Sequence, residues 1–214
     1  MSVVDAGDTD ADEDFSDPVC AVCRGGGDLI CCDGRCLRSF HPSCIGLREE
    51  DIPEDSPFVC SDCFCGIQRC FVCSDFGIEH ELVKCSVPYC GKFYHEKCVS
   101  ESSQSADYVC KLHSCDNCGE VVTSVSKRKN LWRCFRCPKA YDVKHRPRDV
   151  HVLADGLFMC IRHRQEDEVW PEISKELLQR LEKQNKVQPR QPWPTRSCRW
   201  HCWEVIRLIH AWHL

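Results

Sequence analysis

Apolar residues along this chain come in ones and twos, and almost nowhere do they keep a period long enough to define an extended element. The exception is ISKELLQRLEKQNK, where Ile173, Leu177, Leu178 and Leu181 recur at helical spacing among charges. Residues 166–187 are therefore expected to hold a short amphipathic helix whose stripe docks on a neighbouring module. No apolar run approaches the ~20 residues of a membrane span. Elsewhere the apolar residues sit beside cysteines and histidines: Phe40 precedes His41, Tyr94 precedes His95, and Phe58-Val59 precedes Cys60. This pattern predicts several minimal cores, with Phe58 and Val59 packed on Phe40 and Leu29 in the first, each beside a short two-stranded antiparallel sheet. Residues 1–17 are acidic and small, the composition of a solvated tail. Residues 188–214 read as a Pro-rich linker and a Trp- and Ile/Leu-rich end.

Composition sharpens this picture. The 214 residues hold 22 Cys and 10 His, a proportion that means either a disulfide framework or a set of metal sites. The opening MSVVDAGDTDADEDFSD has neither a basic n-region nor an apolar h-region, so a reducing compartment is expected, where thiolate–zinc bonds prevail over disulfides. The formal charge of −5 speaks against wholesale nucleic-acid binding, although it averages an acidic head with a basic stretch further on.

Spacing then points to the ligands. CLRSFHPSC, Cys36 to Cys44, and CGKFYHEKC, Cys90 to Cys98, both read Cys-x4-His-x2-Cys. Thiolate and imidazole at these intervals suit tetrahedral Zn²⁺, with bonds of about 2.0 to 2.3 Å. The first module, 18–66, runs Cys20, Cys23, Cys32, Cys36, His41, Cys44, Cys60, Cys63. In a cross-brace Cys20, Cys23, His41 and Cys44 share one ion, and Cys32, Cys36, Cys60 and Cys63 share the other. The second module, 67–113, repeats the order with Cys70, Cys73, Cys85, Cys90, His95, Cys98, Cys110 and a closing His113. The third, 114–165, supplies Cys115, Cys118, Cys134, Cys137, Cys160 and His163. Where it should show His-x2-Cys it has Asp142 and His145. A carboxylate is an acceptable but poorer zinc ligand, so this site is either weaker or borrows His151. About six Zn²⁺ per chain are expected. Cys31 is left over and reads as a small buried hydrophobe. Cys198, His201, Cys202, His210 and His213 near the end lack a matching second pair.

The order of four Cys, His and three Cys, with the phrase GGGDLICCDGRCLRSFHPSC, resembles a plant homeodomain (PHD) finger. A RING domain has the same brace but places histidine fourth and cysteine fifth, the reverse of Cys36 and His41. That ordering makes a RING-like ubiquitin ligase module the weaker alternative. Three such modules, joined through CFVCSDFG and CGKFYHEKCV and followed by RCFRCPKAY, resemble the tandem PHD arrays of the nuclear-receptor-binding SET-domain (NSD-type) histone methyltransferases and of the plant Enhanced Downy Mildew chromatin regulators. The resemblance covers Pro18 to about His163. It implies a small zinc-stabilised α+β fold of tandem cross-brace fingers with little regular secondary structure. It also implies a nuclear chromatin regulator that engages histone tails and other chromatin proteins. Methyltransferase activity is not implied, because nothing here resembles a SET domain.

A methyl-lysine cage often carries Trp two residues before the ligand histidine. The first finger has Ser39 there, and its GGGDLICCD resembles fingers that read the unmodified histone H3 tail by adding the peptide as a strand. On that resemblance Leu29 and Ile30 lie along the added strand. Asp28, with Asp33 as a second candidate, pairs with the ammonium of the tail's fourth-residue lysine. Phe93 of the second finger reads as a core aromatic. Lys127, Arg128, Lys129, Arg133, Arg136, Lys139, Lys144, Arg146 and Arg148 gather positive charge on the third finger, a weak DNA contact or a solvated face. With only Trp132 and Phe135 to stack, base recognition is not expected. Once the ligands are assigned no nucleophile arrangement survives, so no catalysis is expected. A purely structural interaction platform is the remaining alternative.

Overall fold

The computed structural model describes residues 16–48, 57–99, 107–124, 127, 130–164 and 173–185. The acidic head up to residue 15, the Pro-rich linker and the Cys- and His-containing end lie outside them, as do Arg128 and Lys129.

Short strands are what so broken an apolar pattern allows. In the first module β1 (Ile30–Cys31) pairs antiparallel with β2 (Ser39–Phe40), Ile30 opposite Phe40. That register puts Ile30, rather than Leu29, into the cluster with Phe40 and Phe58, whose rings meet edge to face at 6.2 Å. Cys20 bridges to Ser39 on the far side of β2. The module leaves through the single turn of α1 (Ser61–Phe64).

The second module holds two such ribbons, β3 (Ile67–Arg69) with β4 (Phe76–Ile78), and β5 (Val83–Lys84) with β6 (Phe93–Tyr94). Its core gathers Val87, Tyr94 and Leu112 around Cys85, Cys90 and Cys110.

The third module departs from the expected two-stranded sheet. Strands β7 (Leu131–Cys134), β8 (Ala140–Asp142), β9 (Val150–Ala154) and β10 (Leu157–Cys160) form one sheet in the order β8-β7-β10-β9. The last strand runs parallel to β7 and antiparallel to β9. Its cause is legible in VHVLADGLFMC: two apolar runs flank Asp155-Gly156, a two-residue hairpin signal, and Gly156 has φ +67°. Leu157, Phe158 and Met159 are all buried, and α2 (Ile161–Arg164) follows directly.

The C-terminal helix α3 (Lys175–Asn185) starts where Ser174 Oγ accepts the Leu177 N–H at 3.2 Å, a serine cap. It lies against β4 of the second module, with Leu177 buried and Arg180 paired to Glu81. Burying one leucine contributes about 2 kcal/mol.

Consecutive modules touch directly. Gly91 approaches the first module so closely that a Cβ there would stand 2.5 Å from the Cys36 carbonyl oxygen. Lys92 Nζ reaches Asp17 Oδ2 at 3.1 Å, and the Val122 N–H donates to the His113 carbonyl at 2.7 Å between the second and third modules. First and third meet where Arg24 Nη1 lies 3.4 Å from Met159 Sδ.

Candidate metal centres

Each module opens with the same backbone turn. The residue after the second cysteine is left-handed: Arg24 at φ 66°, Ser74 at 67°, Gly119 at 75°. Its N–H returns to the carbonyl of the first cysteine, at 2.9 Å for Arg24 to Cys20, 2.9 Å for Ser74 to Cys70 and 2.8 Å for Gly119 to Cys115. The turn aims backbone donors at the first thiol; the N–H groups of Val22 and His41 lie 3.4 and 3.3 Å from Cys20 Sγ. Burial pushes the Cys20 thiol up, but the backbone donors of Cys23, His41 and Val22 outweigh it and lower the pKa to about 6. Cys70 and Cys115 are lowered by the same opposition of burial and backbone N–H groups. Thiolate is the form that binds metal.

The cross-brace partners come together in space. Four tetrads have their ligand atoms within 4.8 Å of one another in the first two modules: Cys20, Cys23, His41, Cys44; Cys32, Cys36, Cys60, Cys63; Cys70, Cys73, His95, Cys98; and Cys85, Cys90, Cys110, His113. Cys134, Cys137, Cys160 and His163 make another in the third.

These sets fit zinc. A tetrahedral ion with bonds of about 2.3 Å holds its sulfurs roughly 3.8 Å apart. Cys36 and Cys60 are separated by 3.7 Å, Cys90 and Cys110 by 3.7 Å, and Cys137 and Cys160 by 3.8 Å, far beyond the ~2 Å of a disulfide. The histidines turn Nδ1 toward the sulfurs, His41 at 3.2 Å from Cys23 and His95 at 3.3 Å from Cys73. His41 Nε2 sits 3.2 Å from the Gly26 carbonyl, the bond that fixes a ligand imidazole's tautomer. His113 is buried with no hydrogen-bond partner on either ring nitrogen, an arrangement that a coordinated cation resolves.

In the third module Asp142 stands in the backbone position of His41 and His95. All three are extended residues that cap a short 3-10 turn, at φ −69°, −68° and −72° for His41, His95 and Asp142. The Asp116 N–H reaches Ala140, two residues before Asp142, just as Ala21 reaches Ser39 and Phe71 reaches Phe93, each at 2.8 Å. Asp142 Oδ2 lies 3.3 Å from Cys118 Sγ and 2.9 Å from His145 Nδ1, which is 3.6 Å from Cys115 Sγ. His151 is exposed on β9, opposite Met159. Desolvation works against the Asp142 carboxylate, yet the side chains of His145 and Cys118 and the His145 N–H hold it well below the usual carboxylate range. Asp142 and then Cys115 raise His145 in turn.

Cys31 is half-buried outside the tetrads, its thiol donating to Ser16 Oγ at 3.0 Å. Asp28 is exposed, and Leu29 and Ile30 are half-buried at β1. Asp33 is engaged internally, Oδ2 accepting the Phe58 N–H at 2.7 Å. Arg146 lies over the buried Trp132 ring at 3.6 Å and Lys139 pairs with Asp116 at 3.7 Å, so Trp132 presents no open face for a base. The sequence reading missed Gln68, a buried amide pointed at Cys63 Sγ from 3.1 Å; no spacing rule marks it.

Comparison with known proteins agrees with this geometry. Three family models of NSD-like histone-lysine N-methyltransferases match in tandem: PHD zinc finger 1 over residues 15–64, a PHD zinc finger over 66–113, and a variant PHD zinc finger over 115–165. Protein ENHANCED DOWNY MILDEW 2 of Arabidopsis thaliana is 33% identical over 174 residues, 66% of this chain and 13% of that protein. The H3 lysine-36-specific histone-lysine N-methyltransferase of Mus musculus is 36% identical over 154 residues, 68% of this chain and 6% of that enzyme. Mouse histone-lysine N-methyltransferase NSD3 is 40% identical over 133 residues, 59% of this chain and 9% of that enzyme. The chain thus spans a small part of these relatives, and its likeness to the enzymes is confined to their fingers. With its repeated cysteine turns, crossed tetrads and three tandem matches, the chain belongs to the tandem PHD zinc-finger proteins whose fingers are of the NSD-like type.

Proposed function

We propose that this chain is a nuclear, non-catalytic chromatin reader whose first finger binds the unmodified tail of histone H3. The three fingers, 18–66, 67–113 and 114–165, each hold two zinc ions, one in each tetrad described above and the sixth in Cys115, Cys118, Asp142 and His145. The metal's part is structural: it ties distant turns together and leaves the protein surface to do the binding.

The observation that carries the reading is the open edge of β1. Its partner β2 is covered on the far side by the Cys20 bridge, whereas among the described residues no further strand of the sheet lies beyond β1. An extended peptide added there makes main-chain hydrogen bonds beside Leu29 and Ile30. Exposed Asp28 at the head of the strand supplies a carboxylate for an unmethylated lysine ammonium, while Asp33, bonded to Phe58, is the poorer candidate. The positions that would begin an aromatic cage, Ser39, Phe93 and Ala140, are at most 3% exposed. Methylation removes ammonium donors and enlarges the head, so it weakens binding. Exposed Lys144 and Arg148 leave a weak contact to DNA phosphates open to the third finger.

Titration of the zinc-loaded chain with unmodified and fourth-lysine-trimethylated H3 peptides tests this. Tighter binding of the unmodified peptide, lost on Asp28→Ala, is expected. Tighter binding of the trimethylated peptide, or none of either, would refute the reading; none of either with zinc retained leaves a structural platform.

A further inference from the structure

One tetrad differs from its neighbours in charge. Cys32, Cys36, Cys60 and Cys63 are all cysteines, whereas the sets around Cys20, Cys70, Cys85 and Cys134 each include a histidine. Four thiolates on Zn²⁺ carry one full negative charge more than three thiolates and a neutral imidazole. The excess sits in buried ground, since Cys32, Cys36 and Cys60 are at most 6% exposed. Buried anionic charge persists only where donors point at it.

The first finger provides some of these donors itself. The Gly34 and Cys60 N–H groups lie 3.3 and 3.2 Å from Cys32 Sγ. Arg38 Nη2 lies 3.4 Å from Cys60 Sγ and is held by Asp62 at 2.8 Å. The donor to Cys63 comes from outside: Gln68, on β3 in the second finger, places Nε2 at 3.1 Å from Cys63 Sγ. Gln68 is 2% exposed, and a buried amide is costly unless it is bonded. The same nitrogen donates to Glu79 Oε2 at 3.2 Å; both partners are acceptors, so the amide presents nitrogen rather than oxygen. Glu79 pairs at 3.1 Å with Arg35, the residue before Cys36, and so closes a loop from the first finger through the second and back.

We propose that Gln68 is a positioning residue for the all-cysteine zinc site of the preceding finger, so that the second finger sets how firmly the first holds one of its ions. This rests on the assignment of Cys32, Cys36, Cys60 and Cys63 as a zinc ligand set. The amide N–H offsets part of the negative charge on the Cys63 sulfur and, held in turn by Glu79, fixes the orientation of that side chain toward the other three ligands.

The test uses the whole chain, loaded with cadmium so that each site gives its own NMR resonance and an all-cysteine site lies furthest downfield. Gln68→Met keeps the length of the side chain and removes the donor. It should move that resonance alone. In the zinc-loaded chain one ion should pass to a competing chelator on the order of tenfold faster while the rest keep their parental rates. Gln68→Glu, which sets a carboxylate against the thiolate, should release that ion faster still. Unchanged resonances and rates would overturn the proposal. So would a uniform loss of all sites, which would make Gln68 a residue of the fold at large. A parent chain with no all-cysteine resonance would instead remove the ligand assignment beneath it.

Discussion

In the first finger His41 caps a one-turn 3-10 helix that carries Cys44, and in the third Asp142 caps the corresponding turn, which carries His145. The N–H after the first cysteine reaches the same place in both fingers, and the turn that follows has a left-handed residue at the equivalent position, Arg24 in one and Gly119 in the other. Ligand identity therefore changes without a change of frame. What does change is the support around it. The first finger's buried cluster is Phe40 among Cys32, Cys36 and Cys60, while the third adds Trp132 and Phe158 and a four-stranded sheet. A finger with more apolar core can tolerate a weaker ion, because less of its folding free energy has to come from the metal.

Zinc removal should separate the two most widely. A structural site contributes on the order of 10 kcal/mol to folding, so chelation should abolish amide-exchange protection at Ile30 and Phe40. Leu131 and Phe158 should keep part of theirs. Simultaneous loss in both fingers at one chelator concentration would break the comparison. His41→Ala comes next: it should unfold the first finger and remove zinc from it, read by elemental analysis against about six ions in the parent. Phe158→Ala should cost the third finger about 3 to 5 kcal/mol, its side chain being fully buried, and bring its response to chelation close to that of the first.

Smaller effects sharpen the contrast. Asp142→Ala should cost less zinc and less stability than His41→Ala, and Asp142→His should raise zinc retention above the parent. Equal losses at Asp142 and His41 would mean the carboxylate is a full ligand. In the opening turns, Gly119 has φ 75° and no atom of the described residues lies within 4 Å of where a Cβ would stand, so Gly119→Ala should cost only backbone strain, about 1 kcal/mol in a thermal melt. Ser74→Gly, relieving the same strain in the second finger, should be neutral or slightly stabilising.

Much of the molecule was legible before any coordinates. Ligand spacing is a local property, and short Cys-x2-Cys turns have few conformations, so the candidate ligand pairs of the first two fingers are readable from intervals. The helical stripe of Leu177 and the hairpin at Asp155-Gly156 are equally local signals, the second of them one that the expected two-stranded sheet leaves out. The pairing of Ile30 rather than Leu29 with Phe40 depends on strand register, which a two-residue strand does not specify by alternation.

Other features arise only from how distant segments pack. The choice of His145 over His151 beside Cys115 depends on β9 carrying His151 away along the sheet. The helix α3 follows the third finger in the chain yet lies against β4 of the second, with Leu177 buried. Gln68 lies only five residues beyond Cys63, but the network that holds its amide closes through Glu79 and Arg35, which are far apart in the chain. Intervals between ligands determined where metal can bind, because coordination demands a few short distances that turns supply. Tertiary packing decided how those sites support one another, because contacts between separate fingers obey no period along the chain.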